Sequence, residues 1–126
     1  MNLNVVVMSG NLVADPELKV VKGGHNLCTY SLACNYRKGR EPETCFLACE
    51  VWGSGAEVFH RYMKKGSAVL LRGRLRHNRW KSDDGTTHER HVMTVDEFIF
   101  LSGSPGGNEN NQVWATPDPP WIPESN

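Results

Sequence analysis

Arginine recurs at every second residue at Arg72, Arg74 and Arg76, and the same interval then brings Asn78 and Trp80. In an extended chain alternate side chains point to opposite faces. These residues therefore share one face of a strand with Leu70, while Val69, Leu71, Gly73, Leu75, His77 and Arg79 take the other. Thr44 to Trp52 alternates as clearly. Cys45, Leu47, Cys49 and Val51 form a uniformly apolar side that belongs in a core, which sends Thr44, Phe46, Ala48, Glu50 and Trp52 outward. Phe46, Trp52 and Trp80 then stand on outer faces beside a row of guanidinium groups. Guanidinium groups neutralise a phosphodiester backbone and make binding salt-sensitive. An aromatic ring stacks on a base for about 1–3 kcal/mol and hardly distinguishes one base from another. A duplex hides the faces of its bases, so the pattern favours single strands. Taken singly, each aromatic serves equally well in a subunit interface, and a row of arginines is ordinarily a solvated face. The coincidence of both on outer faces, with the core faces accounted for separately, tips the reading.

Other chemistry finds little support. His25, His60, His77, His88 and His91 show no metal-ligand spacing, and Asp83-Asp84 reads as turn chemistry. Asp15, before Pro16, reads as a turn former, and Lys64-Lys65 suits either a helix end or a phosphate. The four cysteines, Cys28, Cys34, Cys45 and Cys49, contain no Cys-x-x-Cys and share strand faces with apolar neighbours. They are expected to be small buried hydrophobes, not a zinc site. With no nucleophile beside a base and no glycine-rich phosphate loop, the expectation is a protein that is not an enzyme and uses no cofactor or metal.

The elements that must hold these residues are mostly strands. Leu3 to Leu12 stops at Asp15-Pro16, Gly23-Gly24 turns into Leu27 to Cys34, and a loop from Gly39 to Pro42 precedes Thr44 to Trp52. Gly66 to Trp80 is followed by Lys-Ser-Asp-Asp-Gly-Thr, a hairpin signal, and Met93 to Leu101 is the last strand. Between the third and fourth strands, Ala56, Phe59 and Met63 recur at helical spacing, with Ser54 or Gly55 as cap and Gly66 as the stop. A helix between the third and fourth of five strands is the order of the OB-fold, an all-β, five-stranded Greek-key barrel that often binds oligonucleotides. Gly10 and Gly73 fit places where such strands bend sharply.

The chain has 126 residues and no formal net charge. Residues 1–101, one domain by size, hold all 14 basic residues and 11 acidic ones, a surplus of three. Residues 102–126 hold Glu109, Asp118 and Glu124 and no basic residue. Their Gly, Asn and Pro content predicts a flexible, disordered C-terminal tail. Nothing at the N-terminus reads as a signal peptide, and no apolar run is long enough for a bilayer, so a cytoplasmic, nucleoid-associated protein is expected.

The body resembles bacterial single-stranded DNA-binding proteins of the homotetrameric replication type. The likeness rests on Ser-Gly-Asn-Leu-Val-Ala-Asp-Pro-Glu-Leu from Ser9 to Leu18, on Leu32-Ala33-Cys34-Asn35, and on Glu43-Thr44-Cys45-Phe46. It continues through Val51-Trp52-Gly53 with Ala56-Glu57, Lys65-Gly66-Ser67, and Gly73-Arg74-Leu75 to Trp80. The resemblance implies a tetramer that wraps single-stranded DNA during replication, recombination and repair. It places stacking on Phe46, Trp52 and Trp80, with Tyr36 near a further aromatic position of the family. Backbone contacts fall on Lys65, Arg76 and Arg79; strand parity adds Arg72 and Arg74. The family tail ends in an aspartate run and Ile-Pro-Phe, which recruits replication and repair proteins. Here the end reads Asp118-Pro-Pro-Trp-Ile-Pro-Glu-Ser-Asn126, so Trp121, Ile122 and Pro123 are only a variant docking motif. The alternative is a tail-poor OB-fold interaction protein that assembles a primosome or recombination complex.

Overall fold

The computed structural model describes residues 1–101 and the short backbone strand 113–115. Its strands are β1 (Val6–Leu12), β2 (Glu17–Val21), β3 (His25–Lys38), β4 (Glu41–Trp52), β5 (Ala68–Lys81), β6 (Thr87–Phe100) and β7 (Val113–Ala115). The helix α1 (Ser54–Tyr62) joins β4 to β5. β1 pairs antiparallel with β5, β5 with β6, and β4 with β3, while β4 and β6 run parallel. Asn11↔Ala33 and Leu12↔Leu32 then bring β1 onto β3. The sheet closes on itself as β1-β5-β6-β4-β3, the expected five-stranded barrel with one short helix.

Alternating side chains fill the interior. Val51, Val69, Leu71, Met93, Val95 and Phe98 are fully buried. From α1, Ala56 and Phe59 plug one end of the barrel. Phe59 stacks on Tyr30 with centroids 4.2 Å apart and meets Phe98 edge-on at 5.2 Å, the geometries ring quadrupoles favour. Two glycines set how tightly the barrel winds. A Cβ on Gly10 would overlap the carbonyl oxygen of Ala33, and one on Gly73 the carbonyl oxygen of Thr94. Gly73 also marks a bulge, where the register with β6 slips by one residue. Past it the β5–β6 hairpin leaves the barrel, so Leu75, His77 and Arg79 are exposed although they share the parity of core residues.

Four details differ from the sequence expectation. β2 is a strand paired with β3, added outside the barrel. Gly53, at φ +74°, is the residue before the helix, and no side chain caps it. The helix ends at Tyr62, and Gly66 instead serves the turn into β5, donating its N–H to the Leu12 carbonyl at 2.9 Å. Finally, Val113–Ala115 pairs with Glu97, Phe98 and Ile99 of β6, so these three residues of the expected flexible tail extend the sheet.

The β5–β6 turn is held by Asp84. The Ser82 hydroxyl and the Thr86 N–H (2.9 Å) both donate to its carboxylate, and Gly85 takes φ +84°. The Ser82 bond first, then the Thr86 amide, hold its pKa down, from 3.8 to about 2. A depressed carboxylate contributes stability above its unfolded pKa that is lost as pH falls through the folded one. Amide NMR signals of Gly85 and Thr86 should therefore move as pH drops from about 4 to about 2, and signals unchanged across that window would rule out this clasp.

Candidate nucleic-acid interface

The outer face of β2, β3, β4, β6 and β5 forms a groove of about 400 Å³. Register builds it in rows: Thr29, Glu50 and Thr94 lie side by side, as do Ser31, Ala48, Val92 and Arg76. Lys19, Arg76 and Arg90 bring three positive charges to its walls, and Asp15, Glu17 and Glu50 three negative ones.

Its floor is the carboxylate of Glu50, which is 5% exposed. Arg76 donates Nη2 to Oε1 at 2.8 Å and Nε to Oε2 at 3.3 Å, a two-pronged charged contact. The Thr94 hydroxyl (2.8 Å) and the Trp52 indole N–H (3.2 Å) also donate to Oε2. Such partners offset the cost of taking a carboxylate out of water. In return it fixes the guanidinium and the indole in one arrangement.

Phe46 and Trp80 stand at the rims, as expected. Phe46 is 66% exposed, one cross-strand row beyond Ala48 toward the β3–β4 tip. Trp80, 43% exposed, lies near the tip of the other hairpin. It stacks on the opposite His88 (centroids 5.5 Å), and the Arg90 guanidinium carbon is 5.9 Å from its ring centre. Tyr36 is exposed and donates its hydroxyl to Glu43 at 2.9 Å.

Trp52 must be corrected. It is on the same side of β4 as Phe46, but only 2% exposed. There the row Lys19, Leu27, Trp52 crosses three strands, because β2 extends the sheet beside it, and the indole is tied back to Glu50. Its ring is packed in the described chain and its N–H is bonded to the floor, where an exposed platform was expected.

Arg74 and Arg76 share one face of β5, while the bulge at Gly73 sets Arg72 apart from them. Arg76 is in the groove, with Asn78 beside it. Arg74 pairs with Asp96 at 3.3 Å, and Arg72 with Glu97 beside the exposed Val7 of β1. Arg79 points to the opposite face of the hairpin and shares Glu89 with His77, each at 3.2 Å. Lys65 is exposed next to Asp15, which accepts its backbone N–H at 2.8 Å. Asp15 thus anchors the turn before β5 as well as ending β1. The groove residues that motif reasoning passed over are Lys19, Glu50, Arg90 and Thr94. Glu50 was within reach, since parity placed a lone carboxylate between Phe46 and Trp52.

The cysteines divide. Cys28 and Cys49 are buried, and burial pushes both thiols up to about 12. Contrary to the expectation of four buried hydrophobes, Cys34 is half-buried and Cys45 exposed. Among the described residues no cluster of His, Cys, Asp and Glu suits a metal ion. Trp121, Ile122 and Pro123 lie outside the described residues.

A five-stranded barrel of this topology, with one helix between its third and fourth strands, defines an OB-fold. The family model described as the single-strand binding protein family matches residues 3–101, and the chain belongs to that family. Among similar proteins, the single-stranded DNA-binding protein of Helicobacter hepaticus is 36% identical over 112 residues, covering 85% of this chain and 66% of the relative. That of Helicobacter pylori is 34% identical, covering 78% of this chain and 58% of the relative. Single-stranded DNA-binding protein 1 of Synechocystis is 31% identical, covering 80% and 85%. The chain thus spans only about two thirds of the length of the Helicobacter relatives. A chain of a Plasmodium falciparum SSB complex with ssDNA superposes with a TM-score of 0.72 at 22% identity, covering 81% of this chain and 97% of that one, and shares the fold.

Proposed function

We propose that the protein binds and wraps single-stranded DNA with little sequence preference, protecting it during replication, recombination and repair, without catalysing a reaction. The observation that carries this reading is the groove itself. Exposed rings at Phe46 and Trp80 flank a channel whose walls offer Lys19, Arg76 and Arg90. Stacking there reads the face that all bases share, and the cations follow the backbone. Lys65 adjoins the groove at Asp15 and extends the cationic path. Arg72, Arg74 and Arg79, each paired with a carboxylate outside it, are secondary contacts for a strand that continues over the barrel.

Wrapping requires several copies. Leu3, Val5 and Val7 are exposed on and before β1, beside a shallow apolar depression that includes Leu70 and Ile99. Such a patch favours self-association, and a homotetramer is the proposed state. No helix among the described residues is long and apolar enough to cross a membrane, in keeping with the proposed place on the nucleoid in the cytoplasm. Trp121, Ile122 and Pro123 would recruit replication and repair proteins.

The test is a titration with oligo-thymidine of increasing length, followed by tryptophan fluorescence at two salt concentrations. Strong quenching, saturating at one long strand per four chains, supports stacking and wrapping together. No quenching at any length leaves the assembly reading, an OB-fold that docks proteins of a primosome or recombination complex.

The arginines are separable by their salt dependence. Arg90→Ala should lower the slope of log affinity against log salt by about 0.7, one phosphate contact on a single strand. Arg72→Ala removes a secondary contact that already has Glu97 as its counterion, and should lower the slope by clearly less. Equal effects of the two would remove the groove as the path of the backbone.

A further inference from the structure

Cys34 and Cys45 are directly opposite each other across the β3–β4 hairpin. Directly opposed residues project to the same face of a sheet. The position of the pair in the ladder follows from the turn. Lys38 pairs with Glu41 across the two-residue loop Gly39-Arg40, with Gly39 at φ +68°, so this closing pair exchanges both of its backbone hydrogen bonds. Counting back, Arg37 and Pro42 form a wide pair, where the missing N–H of Pro42 costs nothing, and Cys34 and Cys45 fall on a narrow pair. Cα atoms in such a pair are about 5.5 Å apart, inside the window of roughly 4.4–6.8 Å seen in disulfides. Cβ atoms, however, are about 5.5 Å apart against the usual roughly 3.5–4.5 Å, so closing the bridge draws the strands together and leaves it readily reduced.

We propose that Cys34 and Cys45 are a reversible oxidation site, forming a disulfide that locks the stem of the β3–β4 hairpin. The exposed Cys45 is accessible to an oxidant, and the half-buried Cys34 is held against it by the ladder. Cys28 and Cys49 offer no second pair. Cys28 faces Val51 and Cys49 faces Tyr30, which makes the two diagonal neighbours about 7–8 Å apart, and both are buried.

The oxidant is a low-molecular-weight disulfide of the glutathione type. The Cys45 thiolate attacks one of its sulfurs and releases one thiol, leaving a mixed disulfide. The Cys34 thiolate then attacks the Cys45 sulfur and releases the second thiol. Two protein S–H bonds become one S–S bond, and the two electrons and two protons end on two molecules of reduced thiol. Because the lock lies at the base of the segment Asn35–Thr44, its effect is on hairpin mobility, and it holds whether or not the groove binds DNA.

The full chain is equilibrated in glutathione buffers of increasing disulfide fraction, alkylated and peptide-mapped. The expected product is one intrachain link between Cys34 and Cys45, lighter than the dithiol by about 2 Da for two lost hydrogens and reversed by excess thiol. Amide exchange across Tyr36–Glu43 should slow at least about threefold in the linked form, as local opening becomes rarer. Cys45→Ser, at an exposed position, should abolish the link with the fold intact, and Cys34→Ser should leave a glutathione adduct on Cys45. Separate adducts on both cysteines of the unaltered chain, links between chains, or exchange unchanged by the link would overturn the proposal.

Discussion

Replacing both Phe46 and Trp80 by alanine should weaken oligo-thymidine binding by about two to four orders of magnitude, because each stacked base contributes about 1–3 kcal/mol. The two rings stand on separate hairpins at opposite rims of the groove, without shared partners, so their losses should add. Both are exposed, and neither belongs to the hydrophobic cluster that holds the barrel. Far-ultraviolet circular dichroism and the melting temperature should therefore stay near those of the unaltered chain. Trp52→Ala is the informative contrast. It removes a buried ring and a donor to Glu50, so stability should fall first and affinity only as a consequence. If the double variant binds within threefold of the original, the rims are not stacking platforms. If Trp52→Ala instead lowers affinity with an unchanged melting temperature, its ring reaches the strand after all.

The largest stability effect should come from adding one methyl group. In Gly73→Ala the new Cβ meets the Thr94 carbonyl oxygen and the Val95 Cα, both backbone atoms. A flexible side chain could swing away; a paired strand cannot. Gly73 is bonded into β1 through Val6 and into β6 through Val95, so relief requires parting strands that close the barrel. A cost of about 3 kcal/mol or more is expected, a large part of the roughly 5–15 kcal/mol that holds a domain. The melting temperature should fall by about 15 °C. Gly24→Ala supplies the scale. Its φ is +78° but nothing lies near its Cβ, so only the conformational cost of about 1–2 kcal/mol remains. Similar melting temperatures for the two variants would mean that the strands part at Gly73 at little cost.

Most of the barrel was legible because its strands are half-buried, and half-burial writes a period of two. β4 and β5 show it plainly, and the interior glycines, read as sharp bends, prove to be where strands come close. β2 was missed for the same reason in reverse. Glu17–Val21 is exposed at all but its last residue, so no alternation announces it, and the flanking Asp15-Pro16 and Gly23-Gly24 read as loop. Parity gave the correct side for Trp52 and the wrong surroundings. It reports which way a side chain leaves its own strand but not what a neighbouring strand and a buried carboxylate place beside it. The arginine row was legible only in part: the bulge at Gly73 sets Arg72 apart from Arg74 and Arg76, and the acidic partners Glu50, Asp96 and Glu97 come from elsewhere in the chain.

Those partners change the thermodynamics of holding a polyanion. Arg72, Arg74, Arg76 and Arg79 each face a carboxylate of the same chain, at Glu97, Asp96, Glu50 and Glu89. Where such an arginine meets a phosphate, it exchanges one anion for another, and the displaced carboxylate must find solvent or a cation. The protein carries its own counterions. A strand bound in this way releases its condensed cations, yet part of that gain is offset by cations recruited to the freed carboxylates. The net ion release is then smaller than the number of arginines touched, and the complex persists as ionic strength rises, which an unpaired cationic groove would not allow. On the proposed function, this self-neutralised surface would grip a strand chiefly by stacking, with its charges choosing the path.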